Sequence, residues 1–166
     1  DEIPSNFTTF YEKNIKLEKE KEQKIKFNNK IFHQSKLLNY FLNKTSLPRA
    51  EKEANDLLKK IKRNKKYFFS IKDIMMIESL KSDGIQILKK YDRLYEHKSM
   101  VPSEINSMIV NGELGLVLLK IVQIIGEDEV EDLDLESVSF IVGIMNELKI
   151  INLRNEILLK VLPLKI

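Results

Sequence analysis

The chain has 166 residues, 43% of them hydrophobic, so it is long enough to bury the core of one domain. It contains no cysteine, which excludes disulfide scaffolds, thiol catalysis and cysteine-ligated zinc sites. The net charge of +3 is split, because residues 1–99 hold 23 Lys/Arg against 14 Asp/Glu while residues 100–166 hold 5 against 11. Lysine supplies 24 of the 28 basic residues, and Ile and Asn are also abundant, so an AT-rich genome explains part of the basic balance.

A single long helix is predicted at the start of the chain. Residues 5–43 contain no Gly or Pro, and apolar residues fall at helical spacing at both ends of this segment. Two helices meeting near residues 28–29 are the alternative. We therefore predict a long helix or arm at residues 1–46 and a helical-hairpin domain at residues 47–166. Because the chain opens with Asp1 rather than Met, we expect a processed form or a fragment of a longer protein.

The next helices have clear local signals. Pro48 suits the first turn of a helix predicted over residues 47–66, with a cap at Thr45 or Ser46. Ser70 and Asp73 have the spacing of a capping box, which predicts a helix from there to about residues 80–84. A shorter helix is predicted over residues 85–95. The apolar stripe expected to bury the first of these helices consists of Ala50, Ala54, Leu57, Leu58 and Ile61.

The acidic part of the chain is predicted to hold the most apolar core, within residues 112–162. A short helix from about residues 101–103 to 111–112 precedes residues 113–125, which are apolar nearly all round and therefore predict a central, buried helix. Helices over residues 135–149 and 153–162 complete the chain. Gly115 and Gly143 lie inside two helices, where glycine costs about 1 kcal/mol relative to alanine. We therefore expect these two helices to cross closely, with both glycines at the contact.

These elements predict an all-α protein of stacked antiparallel helical hairpins, an irregular α-solenoid-like array, with a globular helical bundle as the alternative. The 34-residue tetratricopeptide pattern is absent. The last third of the chain contains a set of short motifs: residues 112–116 (GELGL), 124–129 (IIGEDE), 132–134 (DLD), 153–157 (LRNEI) and 162–164 (LPL). On these motifs the chain resembles the C-terminal part of uncharacterised bacterial helical-repeat proteins of the tetratricopeptide-like, α-solenoid kind. The resemblance implies an exported, scaffold-like protein, and its motifs bring no catalytic residues.

A basic run followed by aromatic residues is the first candidate interaction surface. Six of the eight residues 59–66 are basic, and residues 67–69 are Tyr-Phe-Phe. Lysines can follow phosphates while an aromatic ring stacks on a base, which favours an anionic polymer such as nucleic acid. The alternative is a solvated helix end whose aromatic residues dock into the next hairpin. The residues of this surface are Lys59, Lys60, Lys62, Arg63, Lys65, Lys66 and Phe68.

An acidic connector is the second candidate surface. A calcium loop starting at Asp132 would place Ser137 where glycine is required and Gly143 where a bidentate glutamate is required, so no metal is predicted. In the simpler interpretation, the acidic residues stabilise the N-terminus of the next helix through its dipole. In the other interpretation, they form a docking loop for a partner. The residues of this surface are Glu127, Asp128, Glu129, Glu131 and Asp132.

No catalytic or cofactor-binding motif is present. His33 and His97 lack the spacing of metal ligands, and an enzyme would require a fold that places one of them beside carboxylates in a cleft. No apolar run is long enough to cross a bilayer. We therefore expect a non-catalytic helical scaffold that binds another protein and carries no cofactor. Binding of nucleic acid through residues 59–66 is the alternative. The partner, compartment and oligomeric state are left open.

Overall fold

The computed structural model describes residues 27–94 and 101–162, and the regular elements within these ranges are all helical. The predicted all-α class is therefore confirmed. Two 3₁₀ helices lie within these ranges, Phe32–Gln34 and Lys89–Leu94. The α-helices of the described residues, numbered in chain order, are α1 (Leu38–Phe41), α2 (Leu47–Lys62), α3 (Ile71–Ser82), α4 (Ser103–Val110), α5 (Leu114–Ile125), α6 (Leu135–Leu148) and α7 (Ile151–Val161).

The predicted long N-terminal helix does not continue through residues 27–43. A 3₁₀ turn and the one-turn helix α1 occupy this segment instead. Its backbone amides are engaged elsewhere: the Phe32 N–H donates to the Tyr67 hydroxyl (2.9 Å), and the His33 N–H donates to Asp73 Oδ1 (2.9 Å). In a continuous helix these N–H groups would donate to the carbonyls four residues earlier. The predicted helix and the observed hydrogen bonds to Tyr67 and Asp73 therefore exclude each other. Residues 1–26, which carry the rest of that prediction, lie outside the described residues.

The local signals for α2 and α3 are confirmed. All five residues of the predicted α2 stripe are buried, although α2 ends at Lys62 rather than near residue 66. The capping box of α3 is formed, since Ser70 Oγ accepts from the Asp73 N–H (3.2 Å) and Asp73 Oδ2 accepts from the Ser70 N–H (3.0 Å). The helix predicted over residues 85–95 is the shorter 3₁₀ helix, which packs against α2.

The centre of the fold is the packing of α3 against α6. Helix α6 also packs against α7, and α7 in turn contacts α1. In a linear solenoid each repeat contacts only its sequence neighbours. The α3–α6 and α1–α7 contacts instead join helices that are far apart in the sequence, which favours the globular-bundle alternative. The solenoid arrangement is not confirmed.

Helix α5 departs from its prediction. It forms at the predicted place, but within it only Val117 and Ile121 are buried. Its main packing partner among the described helices is α4. Because α4 is eight residues long and covers one side of α5, only a narrow stripe is buried. Ile124 and Ile125 at the end of α5 are partly buried against the core, and the remaining apolar residues are exposed. The prediction of a central, buried helix is therefore wrong.

Candidate functional site

The outward side of α5 is an exposed apolar surface. Leu116, Leu119 and Val122 are 52%, 53% and 62% exposed, and their spacing places them on one side of the helix. We call these three residues the α5 face. Leu118 flanks it and is also exposed. Contiguous exposed apolar residues on a folded domain are typical of interaction sites. The sequence signal was the all-round apolar pattern, which by itself could not show which side stays uncovered.

The acidic connector follows directly after the α5 face. Gly126 ends α5 with a φ of +60°, a backbone conformation that glycine adopts without strain. Asp134 caps α6 by accepting from the N–H groups of Glu136 and Ser137, both at 2.9 Å. The Ser137 hydroxyl, followed by these amides, lowers the pKa of the Asp134 carboxyl. The predicted surface residues of the connector are all exposed: Glu127, Asp128, Glu129, Glu131 and Asp132.

The basic surface lies at the C-terminal end of α2 and in the turn after it. All six of its cations are exposed, and none forms an ion pair with a residue that the structure describes. The turn itself is held by hydrogen bonds: the Tyr67 N–H donates to the Asn64 carbonyl (3.0 Å), and the Lys66 N–H donates to Asn64 Oδ1 (3.1 Å). The cations therefore extend from a backbone of defined shape.

The three aromatic residues after the basic surface have different environments. Tyr67 and Phe69 are half-buried and pack edge to face, with ring centroids 5.0 Å apart. Phe68 lies between them and is 88% exposed. The alternative in which the aromatic residues dock into the fold thus holds for Tyr67 and Phe69 and fails for Phe68.

A buried polar cluster centred on Asp73 joins the 3₁₀ segment at Phe32 to the start of α3. Asp73 Oδ1 accepts from the backbone N–H of His33 (2.9 Å) and from His33 Nδ1 (2.6 Å). Its Oδ2 accepts from the Tyr67 hydroxyl (3.0 Å) and from the Ser70 N–H (3.0 Å). Burial raises the pKa of Asp73, but the hydrogen bonds from His33 and Ser70 and the nearby imidazole outweigh it, so the net shift is downward. Burial also raises the pKa of the Tyr67 phenol.

The Asp73 cluster places a histidine beside a carboxylate and a serine, yet it lacks the arrangement of a hydrolytic triad. In a triad the carboxylate and the nucleophilic hydroxyl contact opposite nitrogens of the imidazole. Here Asp73 Oδ1 and Ser70 Oγ both approach His33 Nδ1, at 2.6 Å and 3.4 Å. Ser70 Oγ also accepts the Asp73 N–H as the cap of α3. The cluster is therefore built to hold segments together, and the sequence signal for it was the capping box alone.

A second buried cluster surrounds Arg154 of α7, which is fully buried. Its two terminal nitrogens donate to the two carboxylate oxygens of Asp83, at 2.8 Å and 2.6 Å. The guanidinium also donates to Asn146 Oδ1 (3.1 Å) and to Asn155 Oδ1 (2.7 Å). Asp83 follows α3 and Asn146 belongs to α6, so one side chain connects all three central helices. No sequence pattern pointed to this cluster, because the carboxylate that pairs with Arg154 lies 71 residues away in the chain.

The two helix-interior glycines do not share a contact. Gly115 is exposed, and a Cβ built on it would meet nothing within 4 Å. Gly143 is buried in α6, whose main packing partners are α3 and α7. The prediction that both glycines lie at one close crossing is therefore wrong for Gly115, because α5 is packed mainly on α4.

Within residues 27–94 and 101–162, no three His, Asp or Glu side chains are grouped so that they could hold a metal ion. Over these residues no helix has both the length and the apolar character needed to cross a membrane. His97, one of the two histidines considered from the sequence, lies outside the described residues.

Comparison of the chain with protein-family models, with curated proteins and with solved structures finds no match. The resemblance of the C-terminal third to bacterial helical-repeat proteins therefore stays a prediction.

Proposed function

We propose that this protein is a non-catalytic helical module that binds another protein through the α5 face. The observation that carries the proposal is the exposure of Leu116, Leu119 and Val122 on one side of a helix that the sequence marks as core. Leaving apolar surface in water costs roughly 25 cal/mol per Å², so a partner that covers this face would gain that free energy.

The partner that fits this surface is a helix with an apolar stripe and basic residues beside the stripe. An amphipathic helix can lay its apolar side along α5, as in helix-in-groove recognition. The exposed acids at 127–129 lie immediately after α5, and the chain from residue 100 onward is acidic overall. Basic residues on the partner would meet these acids, and such complementarity contributes specificity and association rate.

Substitution of a residue on the α5 face should leave the protein folded. We expect Leu119→Ser to lower the free energy of unfolding by less than about 1 kcal/mol, because the side chain is half exposed. The matched variant Val117→Ser, on the buried side of the same helix, should cost about 2 kcal/mol through lost burial and a buried hydroxyl. Urea denaturation followed by circular dichroism measures both. Equal losses in the two variants would contradict the exposure of the α5 face.

A labelled synthetic peptide tests the partner chemistry directly. The probe is a helical peptide with leucines at i, i+3, i+4 and i+7 and lysines beside them, and its control carries glutamates in place of the lysines. We expect micromolar affinity for the lysine peptide by fluorescence anisotropy, on the order of −8 kcal/mol, and no measurable binding of the control. Leu116→Ser combined with Leu119→Ser should weaken binding at least about tenfold. Neutralising Glu127, Asp128 and Glu129 should weaken it less and reduce its salt dependence.

Three results would overturn this proposal. Two come from the peptide experiment: equal binding of the lysine and glutamate peptides, and unchanged binding by the double leucine variant. The third comes from sedimentation equilibrium: a dimer of the wild-type chain that Leu119→Ser dissociates would assign the α5 face to a second copy of this chain instead of a different protein.

A further inference from the structure

We infer that the basic surface and Phe68 together form a second, separate binding site, for single-stranded nucleic acid. Phe68 supplies a stacking platform for one base, and the six cations at 59–66 hold the neighbouring phosphates. The site is independent of the α5 face, so the two proposals stand or fall separately.

Phe68 is held outward by the residues on either side of it. The Tyr67 hydroxyl accepts from the Phe32 N–H and donates to Asp73, which fixes that ring against the buried cluster. Phe69 packs on Tyr67, and the next residue, Ser70, is the cap of α3. With both neighbours turned inward, Phe68 projects into solvent.

The cations are available to a polyanion. They are exposed, and within residues 27–94 and 101–162 none of them forms an ion pair that binding would have to break. Lys62 is the last residue of α2, and Lys65 and Lys66 belong to the turn that leads to Phe68. Five of the six are lysines, which act as point charges without a fixed hydrogen-bond geometry. That chemistry suits contact with phosphates of any sequence.

The exposed Phe68 ring beside the cations favours single-stranded nucleic acid over a duplex or an anionic membrane. In a duplex the base faces are stacked on one another, whereas in a single strand they are open to an aromatic ring. An anionic membrane would instead require a wide apolar face on the basic helix. The outward side of α2 near its end is charged, and Phe68 is the large apolar side chain exposed beside it.

The test uses a labelled oligodeoxythymidine of about 12 nucleotides, within the range of known single-strand site sizes. We expect the full chain to bind it at low salt and Phe68→Ala to weaken binding about 5- to 100-fold, while Phe68→Tyr retains it. The matched control is Leu88→Ala, which shortens another exposed apolar side chain and should leave binding unchanged. Lys65→Gln with Lys66→Gln should flatten the slope of log K against log salt by about 1.4, for two lost phosphate contacts.

Polyanions of other chemistry distinguish stacking from simple charge attraction. A DNA duplex and polyglutamate at the same charge concentration should bind more weakly than the oligonucleotide and be insensitive to Phe68→Ala. If polyglutamate or phosphatidylserine vesicles bind as tightly as the oligonucleotide, the site is an acidic-protein or membrane contact and the inference is wrong. An unchanged affinity of Phe68→Ala for the oligonucleotide would also overturn it.

Discussion

Replacing Arg154 by methionine should lower the free energy of unfolding by about 3–5 kcal/mol, because the change leaves a buried carboxylate without its partner. The Arg154 and Asp83 side chains are 1% and 4% exposed, and they meet in a bidentate ion pair. The same guanidinium serves the amide oxygens of Asn146 and Asn155, which would also lose a donor. Urea denaturation monitored by circular dichroism gives the difference in unfolding free energy.

Two controls separate this effect from the loss of any arginine. Arg49 pairs with Glu53 at 3.1 Å, but its side chain is 71% exposed, so Arg49→Met should cost no more than about 1 kcal/mol. The double variant Arg154→Met with Asp83→Leu should recover much of the lost stability, since a buried pair can be replaced by apolar groups at little cost. A loss for Arg154→Met no larger than that for Arg49→Met would show that the cluster does not hold the central helices together.

The elements of this fold that the sequence predicted well are those determined by residues close together in the chain. The α2 stripe and the Ser70–Asp73 capping box depend on spacings of three and four residues, and both are present. The Asp134 cap is equally local, since its partners lie two and three residues away. Local hydrogen bonds and one-sided apolar spacing suffice to place such helices.

The features that the sequence missed depend on contacts between distant residues. Arg154 and Asp83 are 71 residues apart, and His33 and Asp73 are 40 apart. No local pattern encodes such a pair, and a histidine or arginine in isolation is ordinarily expected at the surface. The prediction that α5 is a central, buried helix was wrong for the same reason. The apolar pattern of α5 shows that its burial would be favourable, but it does not show whether another helix covers each of its sides. The candidate sites follow this division: the charged residues of both surfaces were predicted, whereas the α5 face and the orientation of Phe68 required the structure.

The second large effect is expected at Asp73, where asparagine should lower the free energy of unfolding by about 2–4 kcal/mol. The carboxylate accepts four hydrogen bonds, two from His33 and one each from Tyr67 and Ser70. An ionised carboxylate only accepts, so His33 Nδ1 carries the hydrogen of the 2.6 Å contact. An asparagine amide would turn an NH₂ group towards two of these donors, leaving them buried without acceptors. The matched control is Asp134→Asn at the exposed cap of α6, where asparagine caps as well as aspartate and the loss should be much smaller.

The pH dependence of this loss has a definite sign. The pKa of Asp73 in the fold lies below the ordinary aspartate value of 3.8, so at acidic pH the unfolded chain binds more protons at this site than the folded chain does. The stabilisation by Asp73 is therefore fully present well above pH 3.8 and is lost as the pH falls through the lower, native pKa. Urea denaturation of wild type and Asp73→Asn between about pH 6 and pH 2 should show a difference in unfolding free energy that shrinks with acidification. If the difference stayed constant or grew, the Asp73 carboxylate would not be the acceptor that joins the Phe32 segment to α3.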